Sequence, residues 1–232
     1  MIGLRLAEQR GKTRTDWLDS RHSFSFGDYY DAQNMGFSDL RVINEDRVVP
    51  GAGFPTHSHR DMEIVTYVLE GALAHRDSTG TSSIIRVGDV QRMSAGTGIS
   101  HSEYNASNAE PVHFLQIWII PDETGLAPSY EQQVIPFEKN SGRWTLITSG
   151  EGRDGAVRVH QNVDIWAARF SHGEQMAFHL KPGRRAWVHM ARGSGALNGT
   201  LLRAGDGAAA SQEEILEFKA VDEAEVLLFD LA

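Results

Sequence analysis

The chain has 232 residues, room at roughly 100–200 residues per domain for one large domain or two small ones, and its 41% hydrophobic and 23% charged residues are those of a globular protein. A net charge of −9 without any run of Lys and Arg argues against direct binding to nucleic acid. The absence of cysteine excludes disulfides and restricts any metal site to nitrogen and oxygen ligands.

The amino terminus, "MIGLRLAEQRGKTRTDW", lacks the apolar stretch of a signal peptide, and no segment approaches the ~18 apolar residues that span a bilayer. A cytoplasmic protein without membrane contact is expected. Strand signals follow at 41–49, 62–71, 82–87, 112–120, 144–149, 186–191 and 225–231, each short, rich in β-branched or aromatic residues and bounded by Gly, Asp, Asn or Pro. Several, such as "HFLQIWII" and "EVLLFDL", are apolar on both parities, as in strands covered on both faces. "APSYEQQ" (127–133) reads as a helical turn. The spacing of strands and turns predicts an all-β sandwich or barrel.

The two halves are alike. Residues 68–96 and 190–215 both read strand, Gly, strand, turn, strand, and both carry a Gly-Asp pair, Gly88-Asp89 and Gly205-Asp206. Asn198-Gly199 suits a type I′ hairpin turn, in which both central residues take positive φ. The pattern implies an internal duplication. The boundary is expected within 128–142, giving domains 1–134 and 135–232.

Two segments carry candidate chemistry. "THSHRDME" places His57 and His59 two residues apart, and "SHSEYN" does the same with His101 and Glu103. On a strand, residues i and i+2 share a face and lie about 6.6 Å apart. If the two strands are neighbours inside a barrel, three imidazoles and a carboxylate converge, a donor set that suits a divalent first-row metal with open coordination positions. Glu63 shares this parity if its strand is unbroken; it is then a further ligand, a hydrogen-bond acceptor for a ligating histidine or a solvated strand residue, with a role other than ligation favoured. The other histidines, His22, His75, His113, His160, His172, His179 and His189, read as packed or surface residues.

"GAGFPTHSHRDMEIVTYVLEG" resembles the first motif of the cupin superfamily, G-x5-H-x-H-x3-E-x6-G, at Gly51, His57, His59 and Glu63, with the closing glycine one residue late at Gly71. "GDVQRMSAGTGISHSEYN" resembles the second, G-x5-P-x-G-x2-H-x3-N, at Gly88, Gly96, His101 and Asn105. Here Ser94 replaces the proline, and two extra residues precede the histidine. With "WLDSRHSFSFGDYYDAQNMGFSDLRVINED" (17–46), these segments resemble the pirin family, in particular its bacterial members, over the whole chain.

That resemblance implies a bicupin, two β-sandwich (jelly-roll) barrels packed against each other. It implies one divalent transition metal, Fe²⁺ before Mn, Co, Ni, Cu or Zn, held by His57, His59, His101 and Glu103. The carboxylate ligand is thereby Glu103 rather than Glu63. The carboxy-terminal barrel has no His-x-His and is expected to lack metal ligands, serving as scaffold, interface or lid. The implied activity resembles quercetin 2,3-dioxygenase, which opens the flavonol ring with O₂ and releases carbon monoxide, with Glu103 or Glu63 accepting the substrate proton. Phe54, Met93 and Phe114 could line the mouth of the site but read first as core residues, and Gln116 is a candidate for a hydrogen bond either to substrate or to the backbone. The alternative the resemblance offers is a redox-responsive co-regulator that binds a protein partner without turnover. A monomer is expected.

Overall fold

The computed structural model describes all residues, 1–232. In chain order the strands of the first half are β1 (Ile2–Arg5), β2 (Gly11–Arg14), β3 (Leu18–His22), β4 (Leu40–Val48), β5 (Gly53–His59), β6 (Glu63–Glu70), β7 (Ala72–Asp77), β8 (Ser82–Arg86), β9 (Asp89–Ser94), β10 (Ile99–Asn105), β11 (Val112–Ile119) and β12 (Ser129–Val134). Those of the second half are β13 (Thr145–Ser149), β14 (Val157–Arg158), β15 (Val163–Phe170), β16 (Gln175–His179), β17 (Arg185–Arg192), β18 (Ser194–Leu197), β19 (Thr200–Arg203), β20 (Gly207–Ala210), β21 (Ile215–Ala220) and β22 (Ala224–Leu231). Two single-turn 3₁₀ helices are the only helical elements. No helix is long and apolar enough to cross a membrane.

The chain forms two compact units, Gly11–Val134 with Val157–Gln161, and Met1–Arg10 with Ile135–Ala156 and Asn162–Ala232. The expected division at 134/135 therefore needs correcting at two short segments. β1 lies antiparallel to β20, Ile2 opposite Ala210, and so belongs to the carboxy-terminal barrel. Residues 157–161 belong to the amino-terminal one, where the His160 amide donates to Glu63 Oε2 at 3.1 Å and the Arg158 amide to Glu131 Oε2 at 2.9 Å.

The amino-terminal barrel stacks a seven-stranded sheet, β12-β9-β6-β11-β4-β3-β2, on a four-stranded sheet, β5-β10-β7-β8. The carboxy-terminal barrel repeats the plan, with β1-β20-β17-β22-β15-β13 in one sheet and β16-β21-β18-β19 in the other. β1 holds the edge position in the second barrel that β12 holds in the first. The duplication extends to its turns. Gly88 and Gly205 take φ of 91° and 88°, open to glycine and costly for other residues. The aspartate after each glycine accepts from the backbone three residues back, Arg86 N–H to Asp89 Oδ2 at 2.9 Å and Arg203 N–H to Asp206 Oδ2 at 2.8 Å. Asn198 and Gly199 take the predicted positive φ, 45° and 80°.

"SYEQQV" forms β12, an edge strand paired with β9, rather than the expected helical turn. Its side chains are half-buried or exposed, so apolar alternation does not mark it. β11 and β22 are buried along almost their whole length, which accounts for their apolar residues on both parities. β10 alternates instead. Ile99, His101, Glu103 and Asn105 point inward, and Ser100, Ser102 and Tyr104 outward.

Candidate metal centre

β5 and β10 are antiparallel neighbours with His57 opposite His101 and His59 opposite Ile99. The register then slips, so that Glu103 faces Phe54, and β5 carries one residue more than β10 between the two pairs. The bulge falls at Pro55-Thr56, where proline has no N–H to give to a ladder. It turns the carbonyl of Pro55 toward His57, whose Nδ1–H donates to it at 2.8 Å. A carbonyl only accepts, so this bond fixes the tautomer and leaves His57 Nε2 with a bare lone pair.

The rings of His57, His59 and His101 form a near-equilateral group, with centroids 4.8, 4.5 and 4.8 Å apart. One nitrogen of each lies within 4.8 Å of the others, and the same holds for the set His75, His101 and Glu103. The Nε2 atoms of His59 and His101 are 2.9 Å apart. Two nitrogens that each sit about 2.0–2.1 Å from one ion and subtend a right angle at it are about 3 Å apart. Burial, and then the neighbouring His57, lower the pKa of His59 to about 4. His101 is pushed further down, by burial first and then by His57, His59 and His75. Both imidazoles are therefore neutral at physiological pH, the state in which they ligate. His101 Nδ1 and His75 Nδ1 are buried with no partner. Neutral, convergent and incompletely hydrogen-bonded nitrogens fit a metal ion.

Glu103 is 3% exposed. Gln116 Nε2 donates to both its oxygens, at 3.1 and 2.8 Å, and Gln116 Oε1 in turn accepts from Thr66 Oγ1 at 3.0 Å. Burial raises the Glu103 carboxyl to about 7, against the Gln116 bonds and with the help of the Asp46 charge. A bound cation acts in the opposite direction and favours the carboxylate. β7 supplies one more group. The buried His75 bonds through Nε2 to Asp77 Oδ2 at 2.9 Å, and its ring lies 5.3 Å from that of His101.

A cavity of about 220 Å³ opens on this centre, with His57, His59, Glu103, Gln116, Asp46 and the aromatic Phe26, Phe54 and Trp118 among its lining. Trp118 stands edge-on to Phe26 and to His59, at 5.3 and 5.0 Å between centroids. Flat aromatic walls beside a few polar groups are the lining of a site for a planar organic molecule.

His57, His59 and Glu103 thus line one cavity, and His101 clusters with the other two imidazoles and, in a second set, with His75 and Glu103. Glu63 is not. β5 ends at His59 and β6, in the other sheet, begins at Glu63, with Asp61 between them at φ 46°. The parity that would have joined Glu63 to the histidines is broken there, and its carboxylate bonds to His160. Met93 and Phe114 are fully buried in core clusters and do not line the cavity, whereas Phe54 does. Gln116 is present, bonded to Glu103. The sequence reading passed over His75, Asp46 and Trp118. For His75 a signal existed, since His75-x-Asp77 has the same i, i+2 spacing as the pair His101-x-Glu103.

Two barrels of one plan, each a six- or seven-stranded sheet stacked on a four-stranded one and the first holding inward histidines, define a bicupin with a candidate metal centre in its amino-terminal half. The chain belongs to the pirin family, whose profile matches residues 3–119, and a quercetinase C-terminal cupin domain profile matches residues 146–231. The chain is 46% identical to the quercetin 2,3-dioxygenase of Escherichia coli strain K12, over 100% of this chain and 99% of that one. Among solved structures, E. coli YhhW is 45% identical with a TM-score of 0.96, covering 100% of this chain and 98% of that chain. The bacterial pirin YhhW in complex with nickel(II), from the same organism, gives 45% and 0.95, covering 100% and 99%.

Proposed function

We propose that this protein is a metal-dependent dioxygenase of the quercetin 2,3-dioxygenase type, with one divalent metal held by His57, His59, His101 and Glu103. The convergence of the three imidazoles at the wall of an aromatic-lined cavity is the observation that carries the reading. The names of the relatives, and the nickel(II) bound by the E. coli protein, support it. We take Fe²⁺ as the resident ion from the family resemblance. When bound, the metal supplies a Lewis-acid centre that lowers the pKa of a substrate hydroxyl.

The protein's own groups do the rest. Phe26, Phe54 and Trp118 hold a flat flavonol and exclude water from one edge. The Glu103 carboxylate takes the 3-hydroxyl proton, and Gln116 holds it in place through both oxygens. The flavonolate and O₂ then give the ring-opened ester and carbon monoxide. The 135–232 portion is scaffold in this reading, and the protein acts as a cytoplasmic monomer.

The test is elemental analysis of natively purified protein, followed by oxygen uptake with quercetin on the same sample. About one metal per chain and stoichiometric uptake are expected, both lost in His57→Ala and His101→Ala. Iron- or nickel-loaded protein that leaves flavonols intact overturns the activity while leaving the metal centre to stand.

A further inference from the structure

Several polar groups that line the cavity are committed to one another. His22 uses both ring nitrogens, Nε2 with Thr13 Oγ1 at 2.9 Å and Nδ1 with Asn44 Oδ1 at 2.7 Å. Gln116 is committed to Glu103 and Thr66. Asp46 differs. It is 4% exposed, it lines the cavity, and Ser20 hydrogen-bonds its carboxyl group, yet Oδ1 has no partner. The other buried atom without a partner among the lining residues is Trp118 Nε1, a donor.

A buried carboxyl oxygen without a partner is costly to a fold and is kept where something else bonds it. Asp46 is set there by register. On β4, Asn44 and Asp46 share a face, and Asp46 lies between Ser20 of β3 and Phe114 of β11. Phe114 is buried below in the core and offers nothing polar. The open oxygen is therefore available to the occupant of the cavity.

We propose that Asp46 is a specificity-determining residue that accepts a hydrogen bond from a ring hydroxyl of the aromatic ligand held in the cavity. The inference rests on the reading of the cavity as an aromatic-substrate site and adds which aromatics it selects. A carboxyl oxygen accepts from a hydroxyl, whereas a carbonyl or ether oxygen in the same place sets lone pair against lone pair. A site built to bond a hydroxyl discriminates against the analogue that lacks it, because the site's own group is then left unpaired. Asp46 has no hydrogen bond to His57, His59, His101 or Glu103 and acts on Glu103 only through its charge, so its effect is read in which ring is accepted.

The experiment titrates metal-loaded protein with quercetin and with 3-hydroxyflavone, which lacks the other ring hydroxyls, under anaerobic conditions by quenching of tryptophan fluorescence. Oxygen uptake and metal content are measured in parallel. Wild type is expected to favour quercetin about tenfold, the scale of one hydrogen bond to a charged group. Asp46→Ala should abolish most of that ratio with metal content unchanged. Asp46→Asn, which keeps the shape and one acceptor oxygen, should lose only part of it, and it decides the matter if the alanine variant does not fold. A ratio that survives both substitutions, equal losses for both ligands, or a wild type without preference overturns the subsite. Absence of oxygen uptake by wild type would instead remove the dioxygenase reading, and the anaerobic titration would still decide on Asp46.

Discussion

The two barrels share a strand plan and differ in what fills them. In the amino-terminal barrel the paired strands β5 and β10 present His57, His59, His101 and Glu103 inward. In the carboxy-terminal barrel the matching pair, β16 and β21, sets Phe178 opposite Leu216 and Met176 opposite Phe218. Phe178, Leu216 and Phe218 join Leu197, Leu202, Val188 and Leu228 in one apolar cluster. Trp144 packs edge-on against Phe170, Phe178 and Phe218 at 5.7, 6.0 and 6.3 Å. One barrel thus gives its interior to packing. The other keeps smaller apolar clusters and gives part of its interior to polar side chains and a cavity, with hydrogen bonds such as Thr66–Gln116–Glu103 and His75–Asp77. A duplicated fold can separate stability from chemistry in this way, since strand order does not dictate what points inward.

Substitutions should split along that line. The largest effect is expected for His101→Ala, which removes one of the clustered imidazoles: metal content by elemental analysis falls to background and oxygen uptake with it, while the thermal unfolding of metal-free protein changes little. Phe218→Ala should do the reverse. It leaves a cavity in the carboxy-terminal core and costs about 3–5 kcal/mol in urea unfolding, with metal per folded chain unchanged. If Phe218→Ala also empties the centre, the proposed division of labour is wrong. A third, smaller effect belongs to Gln116→Leu. Glu103 keeps its place on β10 but loses the amide that orients it, and metal affinity measured by competition with a chelator should drop about 10–100-fold.

Much of this contrast was legible in the sequence, and the losses have physical causes. The i, i+2 spacing of His57/His59 and His101/Glu103 fixes their common face whatever the barrel, and the repeated Gly-Asp turns fix the duplication. The bulge at Pro55-Thr56 was not legible, because a register shift depends on the partner strand. The sequence leaves the place of Glu63 open, because nothing in "HRDME" shows that the strand ends at His59. Periodicity also failed at the edges. β12 is too polar to alternate, and β1 is held by residues some two hundred positions later in the chain, a pairing no local pattern encodes. Asp46 sat inside a predicted strand, but its unpartnered oxygen is a property of packing, visible only once Ser20, Asn44 and His22 are in place.

The smallest effect is one of pH, and it sharpens the same comparison. Burial pushes Asp46 from the ordinary 3.8 up to about 7, with the Glu45 charge adding to the rise and the Ser20 hydrogen bond opposing it. For an acid whose folded value lies above its unfolded one, the folded state binds the proton more tightly. The contribution to stability is then fully present below about 4, declines as pH rises from about 4 to about 7, and is constant beyond. Asp46→Asn removes that slope. Urea midpoints of metal-free protein, taken from pH 4 to pH 8, should therefore show the asparagine variant gaining on wild type as pH rises through this window. A variant that instead loses ground would mean that the ionised Asp46 is held by a cationic partner. Asp230 in the carboxy-terminal barrel has such a partner. Burial raises its pKa too, but Arg184 donates to Asp230 Oδ1 and to the Asp230 carbonyl and works against the shift. Asp230→Asn should accordingly leave the pH profile closer to wild type, because the barrel that is packed for stability pairs its buried acid with a cation, whereas the barrel that holds the cavity leaves an oxygen of Asp46 open.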